Sequence, residues 1–127
     1  MLQLIAHALG DYVLQSDWMA QRKTASMAVA LTHATTYSIP FILLCEPSPL
    51  AWAVIVFTHA VIDRYRLAKY VVFAKNFLAP KSLWPKWSDC NITGYPSTSP
   101  PWLAVWLLII ADNTIHLLIN YFALKLL

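Results

Sequence analysis

The sequence predicts an all-α fold: a four-helix integral membrane bundle with an interfacial helix extension and one long loop rich in proline and tryptophan. Three observations predict it. The chain of 127 residues is 59% hydrophobic and only 12% charged, about half the charge of an average soluble domain, and its mean hydropathy is +0.55. Four apolar segments, at about 1–21, 26–45, 50–77 and 102–126, are of a length that can cross a bilayer as helices. All four histidines and three of the five aspartates, Asp11, Asp63 and Asp112, lie well inside these segments, where ionisable groups are costly and seldom idle. The length suits a single transmembrane domain over residues 1–127.

Segment one carries Gln3, His7, Asp11 and Gln15 at a four-residue spacing. Such a stripe on an apolar helix must face other helices or water. Gly10 beside it lets a neighbouring helix approach closely. Nothing at its start resembles a cleavable signal, because no basic stretch leads it and Asp11 interrupts the apolar run. Segment two presents Thr32, His33, Thr36 and Tyr37 on one face, and Pro40 is expected to kink it. Segment three is apolar to Ile62 and then amphipathic, with Arg64, Arg66, Lys69 and Lys75. It reads as one long helix leaving the bilayer, or as a turn into an interfacial helix.

Residues 78–101 form a long loop in which five prolines forbid regular structure and Trp84 and Trp87 alternate with lysines at the headgroup level. Segment four holds Asp112 and His116 at its middle. Cys45 and Cys90 show no metal or redox spacing and no disulfide framework. The net charge of +3 is no nucleic-acid signature, and no nucleic-acid partner is expected. The basic residues follow segments one and three, while the turn between segments two and three has none. The basic loops therefore belong on the cytoplasmic side of the membrane, with the termini outside.

Three histidine–aspartate pairs, His7/Asp11, His59/Asp63 and Asp112/His116, are each four apart and so share a helix face. Their depths agree. Counted from Arg22 at about 1.5 Å per residue, Asp11 lies about 16 Å deep and His7 about 22 Å. Counted from Trp102, Asp112 lies about 15 Å deep and His116 about 21 Å. His33, about 10 Å in from Ser26, joins at the aspartate end. Helices running in opposite directions place like residues at like depth, which predicts one shared centre.

Histidine and aspartate together suit zinc, manganese or iron, and the softness of the ligands does not choose among them. The candidate ligands are His7, Asp11, His33, His59, Asp63, Asp112 and His116, more than the four a structural zinc site needs. Close metal pairs activate water and clamp a phosphoryl group. Asp63, Asp11 and His33 are the candidates for the catalytic base, and Arg64 and Arg66 for binding a substrate phosphate. Asn113, Asn120, Gln15 and Thr36 could hydrogen-bond to the ligands from behind. Arg64 and Arg66 also read as headgroup anchors or an ion pair with Asp63.

The run from His7 through Gly10-Asp11, Gln15 and Asp17-Trp18, then His33, then Thr58-His59 to Asp63-Arg64, then Asp112 to His116, resembles a family of small bacterial and phage membrane proteins of unknown function. More distantly it is similar to membrane-bound metal-dependent hydrolases grouped with zinc phospholipase C and its nuclease relatives. That resemblance implies His7, Asp11, His59, Asp63, Asp112 and His116 as ligands and a phosphodiester as substrate. This chain is far shorter and sits in lipid, so a lipid phosphodiester or a phosphomonoester is the more natural expectation. The function expected is therefore a membrane-embedded divalent-metal-dependent hydrolase, with the lipid bilayer and a phosphate-containing substrate as partners and a homodimer plausible. Two other readings stay open. The same residues would relay protons in an ion-conducting protein, or clamp helices together in an interaction or lysis-type protein.

Overall fold

In the computed structural model, which describes residues 1–127, all regular structure is helical and there is no strand. It divides into two compact units, Met1–Arg66 with His116–Leu127, and Leu67–Ile115.

The first unit begins with α1 (Leu2–Ala8), which widens into a π-helical segment over Leu9–Val13. The amide of Leu14 reaches back five residues to the carbonyl of Leu9 at 2.9 Å. The single helix expected over 1–21 is thus broken. Ser16 adopts extended backbone, and its hydroxyl accepts from the Met19 amide at 3.3 Å. That cap, with Asp17 in the first turn, starts α2 (Asp17–Arg22).

Ser26 caps α3 (Met27–Cys45) in the same way, and the helix runs on through Pro40. It ends at Glu46 in the left-handed region, with φ 47°. Ser48 caps α4 (Pro49–Tyr65), whose first residue is a proline that loses no helical hydrogen bond there. α4 ends at Arg66, also left-handed at φ 51°. Segment three is therefore two helices joined by a turn, not one helix over 50–77.

The unit's core is made of Ala6, Tyr37, Phe41, Ala51, Ile55 and Ala123, each at most 3% exposed. Beside it Ala30, Ala34 and Ala60 let α3 and α4 pack at short range. Gly10 serves α1 likewise. A Cβ there would stand 2.7 Å from the carbonyl oxygen of Tyr37 and 3.1 Å from its Cα.

The second unit holds α5 (Ala68–Lys75), α6 (Trp87–Cys90) and the first part of α7 (Pro101–Leu126), whose remainder belongs to the first unit. The loop expected to lack regular structure contains α6 and a 3-10 turn at Lys81–Leu83. The prolines flank these turns: Pro80 sits at the N-cap of the 3-10 turn and Pro101 opens α7. At such positions proline's fixed φ starts a helix instead of blocking it. Trp87 stacks on Tyr70 with ring centroids 5.1 Å apart and meets Phe73 edge-on at 5.0 Å. Gly94, at φ 86°, presses its backbone onto α5, where an added Cβ would lie 2.7 Å from Val72 Cβ. Gly94→Ala is expected to lower the melting temperature by several degrees while leaving metal binding by the first unit unchanged; a thermal melt and a metal titration on one preparation check both.

Two helices are long and apolar enough to cross a membrane: α3, with mean hydropathy 1.5, and α7, with 1.8. The 17 residues of α4 span about 25 Å, short of the ~30 Å hydrocarbon core. The seven residues of α1 and five of the π segment span less still. Four full crossings, the expectation from segment length, are thus not what these helix lengths supply.

Candidate metal centre

The first unit gathers its histidines and acids at one place. His33 comes from the second turn of α3, His59 and Asp63 from successive turns of α4, and Asp11 from the π segment. His33 Nε2 and His59 Nε2 are 3.0 Å apart. His33 Nε2 lies 3.3 Å from Asp11 Oδ1 and 3.3 Å from Asp63 Oδ2. His59 Nε2 lies 3.5 Å from Asp11 Oδ1 and 3.2 Å from Asp63 Oδ2. The four side chains are between 0% and 11% exposed.

These distances have a geometric meaning. Zinc bonds of about 2.0–2.1 Å in a tetrahedron place the ligand atoms roughly 3.3–3.4 Å apart. Five edges joining these four atoms measure 3.0–3.5 Å. Hydrogen bonds alone cannot account for all five. Each imidazole Nε2 offers one N–H or one lone pair, yet each faces three of the others. A shared cation would take up the lone pairs that hydrogen bonds leave over. Two overlapping groups can hold a metal ion: Asp11, His33 and His59, and His59, Asp63 and His116.

The surroundings fix some of these side chains and not others. The His59 ring is stacked between Tyr37, at 3.8 Å and 24°, and His116, at 4.0 Å and 25°. Tyr37, fully buried, is the hub behind the centre. Its hydroxyl lies 2.7 Å from His7 Nδ1 and accepts from Asn120 Nδ2 at 2.7 Å. His7 then turns Nε2 to Asp11 Oδ2 at 3.5 Å. By contrast, His33 Nδ1 and His59 Nδ1 are buried without a hydrogen-bond partner. Metal-binding histidines normally have that nitrogen held by an acceptor, so here orientation rests on packing. Tyr37→Phe is expected to free His7 and Asn120 and to lower metal affinity about tenfold, the lower end for loss of such an outer contact; a competitive metal titration measures it.

The other expected site residues are placed as follows. His116, on α7, has Nε2 3.6 Å from Asp63 Oδ1. Asp112 is half-buried one turn earlier, in the second unit, and belongs to neither ligand group. His7 is likewise outside both groups and contacts Asp11 instead. Arg64 donates to the Thr24 carbonyl at 2.7 Å and lies over the Tyr65 ring. Arg66 is exposed and ends α4. Thr36 does not support a ligand: its hydroxyl bonds back to the Thr32 carbonyl at 2.9 Å.

One residue at the centre was not expected from the sequence, and another was expected only as part of a polar face. Lys23, counted there only as a basic loop residue, brings Nζ to 2.9 Å from Asp63 Oδ2 and 3.4 Å from His33 Nε2. Its long stem folds back past the start of α3, and no local pattern announces that. Tyr37 did carry a signal, since it follows His33 by four residues on the same helix face.

Residues 1–83 match a family described as protein of unknown function, DUF3307. Asp11, Lys23, His33, Tyr37, His59 and Asp63 all fall within the matched residues. No curated protein and no solved structure matches the chain, so the comparisons give no support to the distant likeness to metal-dependent hydrolases. The family match covers well over half of the sequence, and the protein belongs to the DUF3307 family.

Proposed function

We propose that this protein is a membrane-embedded, divalent-metal-dependent hydrolase acting on a phosphate ester or lipid substrate, with zinc as the best-fitting ion and manganese or iron as alternatives. The close approach of the ligand atoms of Asp11, His33, His59 and Asp63, with five separations of 3.0–3.5 Å, carries the reading. A bound divalent ion would supply Lewis acidity that polarises a phosphoryl oxygen and makes water nucleophilic at neutral pH. The chain's own residues do the rest. Asp11 and Asp63 would neutralise the ion's charge, and His33 and His59 would complete the donor set. His116, beside the second oxygen of Asp63, would be a further donor together with His59 and Asp63. Tyr37 and its stack keep His59 from turning.

The membrane placement is supported by the apolar lengths of α3 and α7 and by large apolar side chains left exposed, among them Leu43 at 73%, Phe57 at 65% and Trp106 at 63%. In this reading α3 and α7 lie in the inner membrane, and the turn bearing Lys23 is on its cytoplasmic side. Metal analysis of protein purified in mild detergent without chelator tests the proposal. About one ion per chain is expected, and zinc, manganese and iron all well below that level would count against it.

A second reading is favoured by one observation. From Tyr37 through His7, Asp11, His33 and Asp63 to Lys23, successive polar atoms lie 2.7–3.5 Å apart, a chain that would also relay protons. Liposome proton flux that survives chelation and is lost in His33→Ala would select it.

A further inference from the structure

We propose that Lys23 is the anion-binding residue of the centre, its ammonium receiving the phosphate oxygens of a phosphate or phosphate-ester ligand. The proposal rests on the metal reading above and assigns to Lys23 the role that the sequence assigns to Arg64 and Arg66.

Position comes first. Lys23 Nζ touches one oxygen of Asp63 at 2.9 Å and His33 Nε2 at 3.4 Å, so it borders two of the four donors. Its side chain is 19% exposed, against 11% for Asp11, 4% for Asp63 and 0% for His33. Among these groups it therefore has the most direct access to solvent. Charge comes next. Two carboxylates cancel a divalent ion, and Lys23 leaves the set at +1, the sign that draws an anion. A lysine ammonium is a flexible point charge with three donors, able to leave Asp63 for a phosphate oxygen without losing its place. The backbone that carries it is fixed. Arg64 donates to the carbonyl of Thr24, the next residue, at 2.7 Å. Arg64 is thereby occupied in holding the turn and is a positioning residue.

Phosphorus NMR of manganese-loaded protein tests this, because manganese broadens only a phosphorus held close to it. Inorganic phosphate in detergent is one probe, and phosphatidic acid in phosphatidylcholine nanodiscs is the other. Wild type is expected to broaden at least one of them saturably, and which one names the source. Lys23→Met should bind manganese with unchanged stoichiometry but require at least tenfold more ligand, while Lys23→Arg should stay within about threefold of wild type. Should Lys23→Met not accumulate, Lys23→Gln carries the same readout. Wild-type broadening retained in manganese-loaded Lys23→Met overturns the proposal and leaves the metal reading standing. Failure of wild type to load manganese, zinc or iron overturns the metal reading instead, and this one with it.

Discussion

Replacing Asp63 with alanine is expected to abolish metal retention, with bound ion falling below about a tenth of the wild-type level, and to cost about 3 kcal/mol of stability. Asp63 is the carboxylate with the most neighbours in the centre. One oxygen faces His33, His59 and Lys23 at 2.9–3.3 Å, and the other faces His116 at 3.6 Å. Removing it takes away a ligand and the main counter-charge of Lys23. Lys23 reaches water, so the loss stays at the lower end of the range for a broken buried pair. Asp63→Asn separates the two effects. It keeps the volume but not the charge, and should lose the metal while recovering part of the stability. Metal analysis and thermal melts on the three proteins check this, and full metal content in Asp63→Ala would remove the centre from the account.

The second large effect is expected from Gly10→Ala, which adds one methyl group. The new Cβ would meet the backbone of Tyr37, with its carbonyl oxygen at 2.7 Å and its Cα at 3.1 Å. No rotamer change relieves a clash with backbone, so α1 and α3 must separate. Overpacking of this kind costs typically 1–3 kcal/mol, and the upper end corresponds to a drop of roughly 10 °C for a chain of this size. The displacement also moves Asp11, the next residue, off His33 and His59. Metal affinity should therefore fall together with stability, whereas Gly94→Ala should lower stability alone. Melting curves and metal titrations of the two variants, run side by side, distinguish them.

Much of this geometry was legible in the residue pattern, and the reasons are physical. The bounds of α3 and α7 follow from apolar runs ended by Glu46-Pro47 and begun by Pro101. The meeting of Asp11, His33, His59 and Asp63 was signalled by the four-residue spacing that puts each histidine–aspartate pair on one helix face. The close approach at Gly10 follows from a missing side chain on a polar stripe. What was not legible depends on single residues working against their neighbourhood. Ser16 caps a new helix inside an otherwise apolar segment, and its one hydrogen bond outweighs the periodicity around it. Arg66 takes a left-handed conformation that arginine seldom adopts. Lys23 reaches the centre through its length, which spacing along a helix does not encode. Asp112 shows the converse: it has the four-residue spacing to His116, yet it stands outside both ligand groups.

The three-ring stack of Tyr37, His59 and His116 gives the centre a built-in reporter. Protons on the His59 imidazole sit in the shielding cones of rings 3.8 Å and 4.0 Å away, so their resonances belong well upfield of an ordinary histidine. Tyr37 should in turn emit weakly when His59 is protonated, since a charged imidazolium against its face quenches the excited phenol. Selectively labelled histidine would then let occupancy of the site be followed in detergent by a single displaced signal, without any substrate in hand.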